Sequence, residues 1–236
     1  MVERGMVPGQ EQARALIMAG DVRVGDRPLT KPGLMVAEDV DITLKQRPPF
    51  VSRGGIKLAH ALDSFGLSVV GFVAADIGAS TGGFTDCLLQ RGASRVYAID
   101  VGRGQLDQKL RQDPRVIVME DVNARYPISL PEKVDLATVD VSFISVEKVI
   151  PSVATVIKGG GHFIVLLKPQ FEAERSEVRR GGLVTDPLVH VRVLGRFITW
   201  AIDHGLRLKG LVASPILGAS GNREFLVYLR LPDEAN

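Results

Sequence analysis

A single cysteine, Cys87, among 236 residues rules out an internal disulfide and, with no partner at ligand spacing, a cysteine-anchored zinc site; no metal is expected. Its neighbours make it a small apolar residue on the buried face of a helix. Long apolar runs are also missing. Nothing approaches the ~18 consecutive residues a membrane span requires, and the charged N-terminus lacks the apolar core of a signal peptide. A cytoplasmic protein is the expectation. Nor does one charge dominate: Lys plus Arg number 29 and Asp plus Glu 27, a net +2, so a polyanionic partner would have to be met by a local patch. There are no internal repeats or low-complexity segments. What is present is an ordinary globular composition, 45% hydrophobic and 24% charged, on a chain long enough for one medium domain with a small appendage.

The most informative stretch is Ala75 to Asp86, Ala-Asp-Ile-Gly-Ala-Ser-Thr-Gly-Gly-Phe-Thr-Asp. An apolar run from Val69 leads into Asp76 and a glycine-rich turn, and a helix is expected from about Thr85. Gly78, Gly82 and Gly83 lack the Gly-x-Gly-x-x-Gly spacing that sets a pyrophosphate on a helix N-terminus, which disfavours a dinucleotide. A ligand without phosphates fits better. It would be held by Asp76, by the turn from Gly78 through Ala79, Ser80, Thr81, Gly82 and Gly83 to Phe84, and by an acidic residue one strand later. S-adenosylmethionine is such a ligand, because its amino group and sulfonium are cationic and its ribose hydroxyls seek a carboxylate. A tight strand-to-helix turn with no ligand is the alternative reading.

Residues 1–45 read as a small independent unit. Gln10 to Ala19 has helical spacing and stops at Gly20, Val22 to Val24 meets a Gly25-Asp26 turn, and Val40 to Leu44 alternates as a strand. The paired prolines of residues 46–50 suit an extended linker. Residues 51–236 then alternate strand and helix. Strands are expected at Val69–Asp76, Arg95–Asp100, Val116–Met119, Val134–Val141 and His162–Leu167. A helix over Ser145–Ile157 should be split or kinked by Pro151 and closed by Gly159-Gly-Gly161. After the helix Leu188–His204, two strands, about Leu206–Pro215 and Glu224–Leu231, should form a hairpin at the sheet edge. This order predicts an α/β fold with a doubly wound, mostly parallel sheet.

In such a sheet ligands bind at the carboxyl ends of the strands. Asp76, Asp100, Asp121, Asn123, Asp140 and Lys168 all fall there. Asp100 is placed for a ribose diol, and the adenine contact is divided among Glu120, Asp121 and Asn123. Lys57 lies near the start of a helix, where a lysine gains nothing from the helix dipole. Phe171 to Thr185, with Arg175, Arg179 and Arg180, reads either as a flap that grips RNA phosphate or as a mobile surface loop.

Two resemblances follow. Glu11-Gln-Ala-Arg14 through Gly20, with Val22-Arg-Val24-Gly and Lys31-Pro-Gly, resembles the S-four RNA-binding domain, with a shortened first helix. It implies that Arg14, Arg23, Arg27 and Lys31 face structured RNA. Val51-Ser-Arg-Gly-Gly-Ile-Lys57, Asp76 to Asp86, Asp140-Val-Ser-Phe-Ile-Ser145, Leu167-Lys-Pro-Gln-Phe-Glu172 and Gly221-Asn-Arg-Glu-Phe225 resemble the TlyA (hemolysin A) family, from about residue 3 to 231. That family joins an S-four domain to an FtsJ-like ribosomal RNA methyltransferase domain of Rossmann-like class I fold with a C-terminal antiparallel strand.

The resemblance implies methyl transfer from S-adenosylmethionine to the ribose 2′-oxygen of cytidines in ribosomal RNA of one or both subunits. It also implies a catalytic tetrad of Lys57, Asp140, Lys168 and Glu224, with RNA contacts from Arg53, Arg179 and Arg180. A ribose hydroxyl is a weak nucleophile that must be aligned behind the methyl group and lose its proton. Lys168 is the candidate for that task, either as a base or as a positioning cation, since a free lysine (pKa ~10.4) is charged at neutral pH. The competing readings are a ribosome-binding assembly factor without turnover and a pore-forming haemolysin. No amphipathic hairpin or membrane helix supports the latter.

Overall fold

In the computed structural model, residues 1–45 and 48–233 are described. The chain divides into two compact units between Pro48 and Pro49. Gln46 and Arg47 of the expected 46–50 linker lie outside the described residues.

The first unit buries few of its apolar positions. Helix α1 (Gln10–Met18) ends at Gly20, and strands β1 (Val22–Val24), β2 (Arg27–Leu29) and β3 (Ile42–Leu44) form an antiparallel sheet in the order β2-β1-β3. Register pairs Val24 with Arg27 and Val22 with Leu44. Val7 and Val22 are its only buried hydrophobic side chains among the described residues. Such a slender core gives a unit of marginal stability on its own.

The second unit runs α2 (Arg53–Phe65), β4 (Val73–Ile77), α3 (Gly83–Gln90), β5 (Arg95–Ile99), α4 (Gln108–Arg111), β6 (Val116–Met119), β7 (Val134–Val139), α5 (Ile150–Ala154), β8 (Ile157–Leu167), α6 (Pro169–Glu172), α7 (Pro187–Asp203), β9 (Arg207–Ala213) and β10 (Phe225–Arg230). These strands build a seven-stranded sheet in the order β6-β5-β4-β7-β8-β10-β9. The first five are parallel, and β10 runs antiparallel between β8 and β9. The expected edge hairpin is present, with β9 outermost. The central strands of the sheet read as apolar runs because both faces are covered. Phe163 to Leu167 of β8 are all 0% exposed. Leu58 and Leu62 of α2 and Leu88 of α3 pack on one face; Val153 of α5 and Val193 and Phe197 of α7 pack on the other. Each such side chain contributes about 2 kcal/mol of burial.

Two boundaries differ from expectation. The first strand starts at Val73, because Phe72 N bonds Val69 O (3.0 Å) and Gly71 N bonds Gly92 O (2.8 Å), making residues 69–72 a turn. The Gly159–Gly161 run lies inside β8, where the pairing with β7 shifts register between Val134 and Leu136. The helix expected over Ser145–Ile157 is split, as expected, into a 3-10 turn, Val146–Lys148, and α5, with Pro151 in the first turn of α5 where its missing N–H costs nothing. Cys87 is fully buried in α3, and burial pushes its thiol up to about 12, so it is chemically quiet.

Candidate active site

Strand β4 pairs with β5 on one side and β7 on the other, so the crevice of this sheet opens at the ends of these strands. Ile77 O accepts from Asp140 N at 2.8 Å, which locks the two strand ends side by side. The turn leaving β4 must therefore pass over the Asp140 backbone. Gly78 does so at φ +83; a Cβ there would stand 2.4 Å from Asp140 O. Gly78 N and Ala79 N both donate to Ile99 O, at 2.8 and 3.2 Å. Asp100 then fixes the turns after β4 and β5 together, since its Oδ2 accepts from Ser80 N and its Oδ1 from Gly102 N, both at 2.7 Å. Gly78→Ala is expected to weaken cofactor binding at least tenfold and to cost about 2–4 kcal/mol, through a positive φ and a backbone collision at once. Calorimetric titration and chemical denaturation measure the two effects.

A cleft of about 490 Å³ lies over this junction, and its walls include Gly78, Ser80, Asp100, Asn123, Asp140 and Ser142. Beside it, Ala79, Thr81, Gly83, Phe84, Lys57 and Asp140 border a depression of about 130 Å³. Three residues assigned to the cofactor from sequence are on neither wall. Asp76 is fully buried, and its Oδ2 accepts from Thr85 N (2.9 Å) and Thr85 Oγ1 (2.7 Å) while Oδ1 accepts from Thr138 Oγ1 (2.9 Å). It holds the start of α3 to β4 and β7 and has no side-chain surface for a ligand. Gly82 faces Leu106 and Leu110. Asp121, in a left-handed conformation, is half-exposed and pairs with Arg103. Of the three adenine candidates, Asn123 borders the main cleft, and its Oδ1 accepts from Arg125 N at 3.0 Å. Glu120 is held by Arg111 and by Gly104 N (2.8 Å) on a narrow side pocket.

The four residues expected to act on the substrate form two ion pairs. Lys57, in the second turn of α2, places Nζ 2.5 Å from Oε2 of Glu224, just before β10, and both side chains are buried. Lys168, at the end of β8, places Nζ 2.7 Å from Asp140 Oδ1 and donates to Ser142 Oγ at 2.9 Å. The Asp140 contact has ion-pair distance without hydrogen-bond geometry, so Oδ1 accepts no hydrogen bond. Lys57 and Asp140 share the wall of the smaller depression, which links the two pairs.

Ser142 and Phe143 were not assigned a role from sequence, although the signal lay in Asp140-Val-Ser-Phe-Ile-Ser145, where only the aspartate was read. Phe143 is 92% exposed at φ +64, unusual for an aromatic residue, with its ring centroid 5.2 Å from that of Phe171. Arg14, Arg23, Arg27 and Lys31 are all exposed in the first unit. In the second, Arg53 is exposed and donates to Leu217 O, and Arg179 and Arg180 are exposed in a loop that closes on itself through an Arg179–Leu183 bridge. Asn222, 1% exposed, accepts from Val184 N (2.9 Å) and donates to Gly182 O (2.7 Å), tying that loop to the segment that carries Glu224.

A parallel sheet with a penultimate antiparallel strand, an acidic residue closing the turns after β4 and β5, and a cleft at the switch point define a Rossmann-like methyltransferase. The FtsJ-like methyltransferase family matches residues 50–231, and the chain belongs to it. It is 42% identical over 234 residues to the 16S/23S rRNA (cytidine-2′-O)-methyltransferase TlyA of Mycobacterium tuberculosis, covering 98% of this chain and 87% of the relative. With Hemolysin A of Brachyspira hyodysenteriae it shares 40% identity over 95% of each chain. A solved structure from Streptococcus thermophilus superposes with a TM-score of 0.77 at 43% identity, covering 98% of this chain and 86% of that one.

Proposed function

We propose that the protein transfers a methyl group from S-adenosylmethionine to the 2′-oxygen of a cytidine ribose in ribosomal RNA, with ribosomal subunits as its substrate in the cytoplasm. The observation that carries this reading is the pair of lysine–carboxylate contacts beside a cleft suited to a nucleoside without phosphates. The residues present fit that cofactor. Asp100 keeps lone pairs beyond the two amides it accepts and stands where a ribose diol would need a carboxylate, Asn123 offers an amide to adenine, and Gly78 leaves the turn backbone open to close approach. When bound, the cofactor supplies an electrophilic methyl group.

The chain's own residues do the rest. Lys168 has three N–H donors; Ser142 takes one and Asp140 faces another, which leaves a donor to hold the target hydroxyl in line with the methyl group. The hydroxyl proton passes to the carboxylate of the Asp140–Lys168 pair, and Asp140 lies on the wall of both cavities. Each lysine facing its own carboxylate supports Lys168 as a positioned cation over a free amine base. Lys57 and Glu224 fix the opposite side of the site. Phe143, held out into solvent, offers an aromatic face on which the target base can stack.

We read the first unit as an S-four RNA-binding domain whose Arg14, Arg23, Arg27 and Lys31 meet phosphates, with Arg53, Arg179 and Arg180 doing so near the site. No helix of the described residues is long and apolar enough to cross a membrane. Replacing Arg179 and Arg180 together by alanine is expected to raise the KM for ribosomal subunits about tenfold and to flatten its salt dependence by about two phosphate contacts, with kcat preserved.

The deciding experiment gives the purified protein radiolabelled cofactor and unmethylated ribosomal subunits and maps the label. Label on the 2′-oxygen is expected. Label on a base would sink the 2′-O assignment, and binding of cofactor and subunits without transfer would make the protein an assembly factor.

A further inference from the structure

The residues from Asp140 to Val146 lead away from β7 and carry both partners of Lys168, namely Asp140 and Ser142. Any drift of this segment moves the groups that fix the lysine. Its far end is fastened by Glu172, whose Oε2 accepts from Ser145 Oγ at 2.7 Å and whose Oε1 accepts from Val146 N at 2.8 Å. Glu172 is 5% exposed in α6, the short helix that begins immediately after Lys168. The stretch Lys168 to Glu172 therefore grips the segment at two points, and the Phe143–Phe171 contact lies between them.

The remaining charges around Glu172 are few. Arg196 of α7 donates to the Glu172 backbone oxygen at 2.8 Å but stands 3.4 Å from its Oε2, and the same distance from Glu147 Oε1. Desolvation raises the Glu172 carboxyl above its ordinary range, with Glu147 adding to the effect and Arg196 opposing it. Burying an acid here costs stability that an apolar side chain of similar size would not. The carboxylate's shape supplies two acceptors to this bend, beside the local Ser145–Glu147 and Ser145–Lys148 hydrogen bonds that do not reach α6.

We infer that Glu172 is a positioning residue for methyl transfer, acting through Ser145 and Val146 on the segment that sets Lys168. The inference rests on the methyltransferase reading of the site but is tested separately from it. Full-length protein labelled with 13C at lysine Cε is compared as wild type, Glu172→Ala and Glu172→Gln, with Lys168→Arg assigning the Lys168 resonance. The glutamine keeps an acceptor for Val146 N and can donate to Ser145 Oγ, so shape survives while charge is lost.

Glu172→Ala is expected to move the Lys168 resonance and its titration and to slow single-turnover transfer about 10–100-fold, with cofactor Kd changed by less than about twofold; Glu172→Gln should recover the rate to within about threefold of wild type. An unmoved Lys168 resonance in folded Glu172→Ala overturns the inference, as does a glutamine variant no better than alanine. Should Glu172→Ala fail to fold, Ser145→Ala removes one of the two hydrogen bonds and is read on the same resonance. A wild type that transfers nothing would defeat the methyltransferase reading, while the Lys168 resonance still decides the role of Glu172.

Discussion

Lys168→Ala is expected to lower methyl transfer by about 10²–10⁴-fold while cofactor binding persists. The separation follows from where the side chain lies. Lys168 borders neither the main cleft nor the depression beside it, whereas its partner Asp140 borders both. Removing the ammonium therefore leaves the cofactor walls standing and takes away the group that holds the hydroxyl. Stability should fall by only about 1–2 kcal/mol, because Asp140 is 22% exposed in its side chain and can hydrate once unpaired, unlike a fully enclosed partner.

Lys168→Arg should rescue little of the rate. A planar guanidinium keeps the charge but cannot reproduce the compact arrangement in which one nitrogen lies 2.7 Å from Asp140 and 2.9 Å from Ser142. Radiolabel transfer under single-turnover conditions, with calorimetric titration of the cofactor, checks both variants. Transfer by Lys168→Ala at more than about half the wild-type rate would remove the lysine from the chemistry, and parallel loss of cofactor binding would make it a cofactor residue instead.

The sheet was legible from sequence because parallel strands buried on both faces are written as short apolar runs, and five of these could be placed to within a few residues. What misled was glycine. The Gly159–Gly161 run looks like a helix terminator, yet inside β8 it serves a register shift that depends on β7, a strand some twenty residues earlier. Spacing alone carries no record of such a partner. Family resemblance points to Lys57, Asp140, Lys168 and Glu224, but their pairing is not visible in sequence, since Lys57 and Glu224 are separated by 167 residues and meet only after the sheet closes.

Asp76 shows the opposite failure. An acid at a strand end beside a glycine turn reads as a ligand residue, and only the positions of Thr85 and Thr138 reveal that every donor it meets comes from the protein. Asp121 adds a related case: strand-end position is visible in sequence, while its left-handed backbone and its pairing with Arg103 are not.

Asp76 yields the second large effect, and here pH separates two variants. Burial pushes its carboxyl up to about 6 from an ordinary value of 3.8, with the charge of Asp140 adding to the rise and the bonds from Thr85 and Thr138 opposing it. As pH rises from about 4, the unfolded chain releases this proton first and the folded protein retains it. Stability therefore falls through the window from about 4 to about 6, by at most about 3 kcal/mol, and the cost is fully present above it.

Asp76→Asn should abolish that slope. Its amide oxygen can accept from Thr85 N and Oγ1, and its amide nitrogen can donate to the Thr138 hydroxyl, so the three contacts survive without a buried charge. At pH 7 the asparagine variant is expected to be at least as stable as wild type. Asp76→Ala keeps none of the contacts, leaves Thr85 N and the Thr85 hydroxyl unsatisfied and the Thr138 hydroxyl with only a 3.5 Å bond to Ala75 O, at positions 0% exposed, and should lose about 3 kcal/mol together with cofactor binding, because the turn after β4 is no longer fastened to α3. Urea denaturation of the three proteins between pH 4.5 and 8, with cofactor titration at pH 7.5, reads both outcomes. A slope that persists in Asp76→Asn would mean that another carboxyl titrates in this window. An alanine variant that still binds cofactor at wild-type affinity would show that the turn keeps its shape without Asp76.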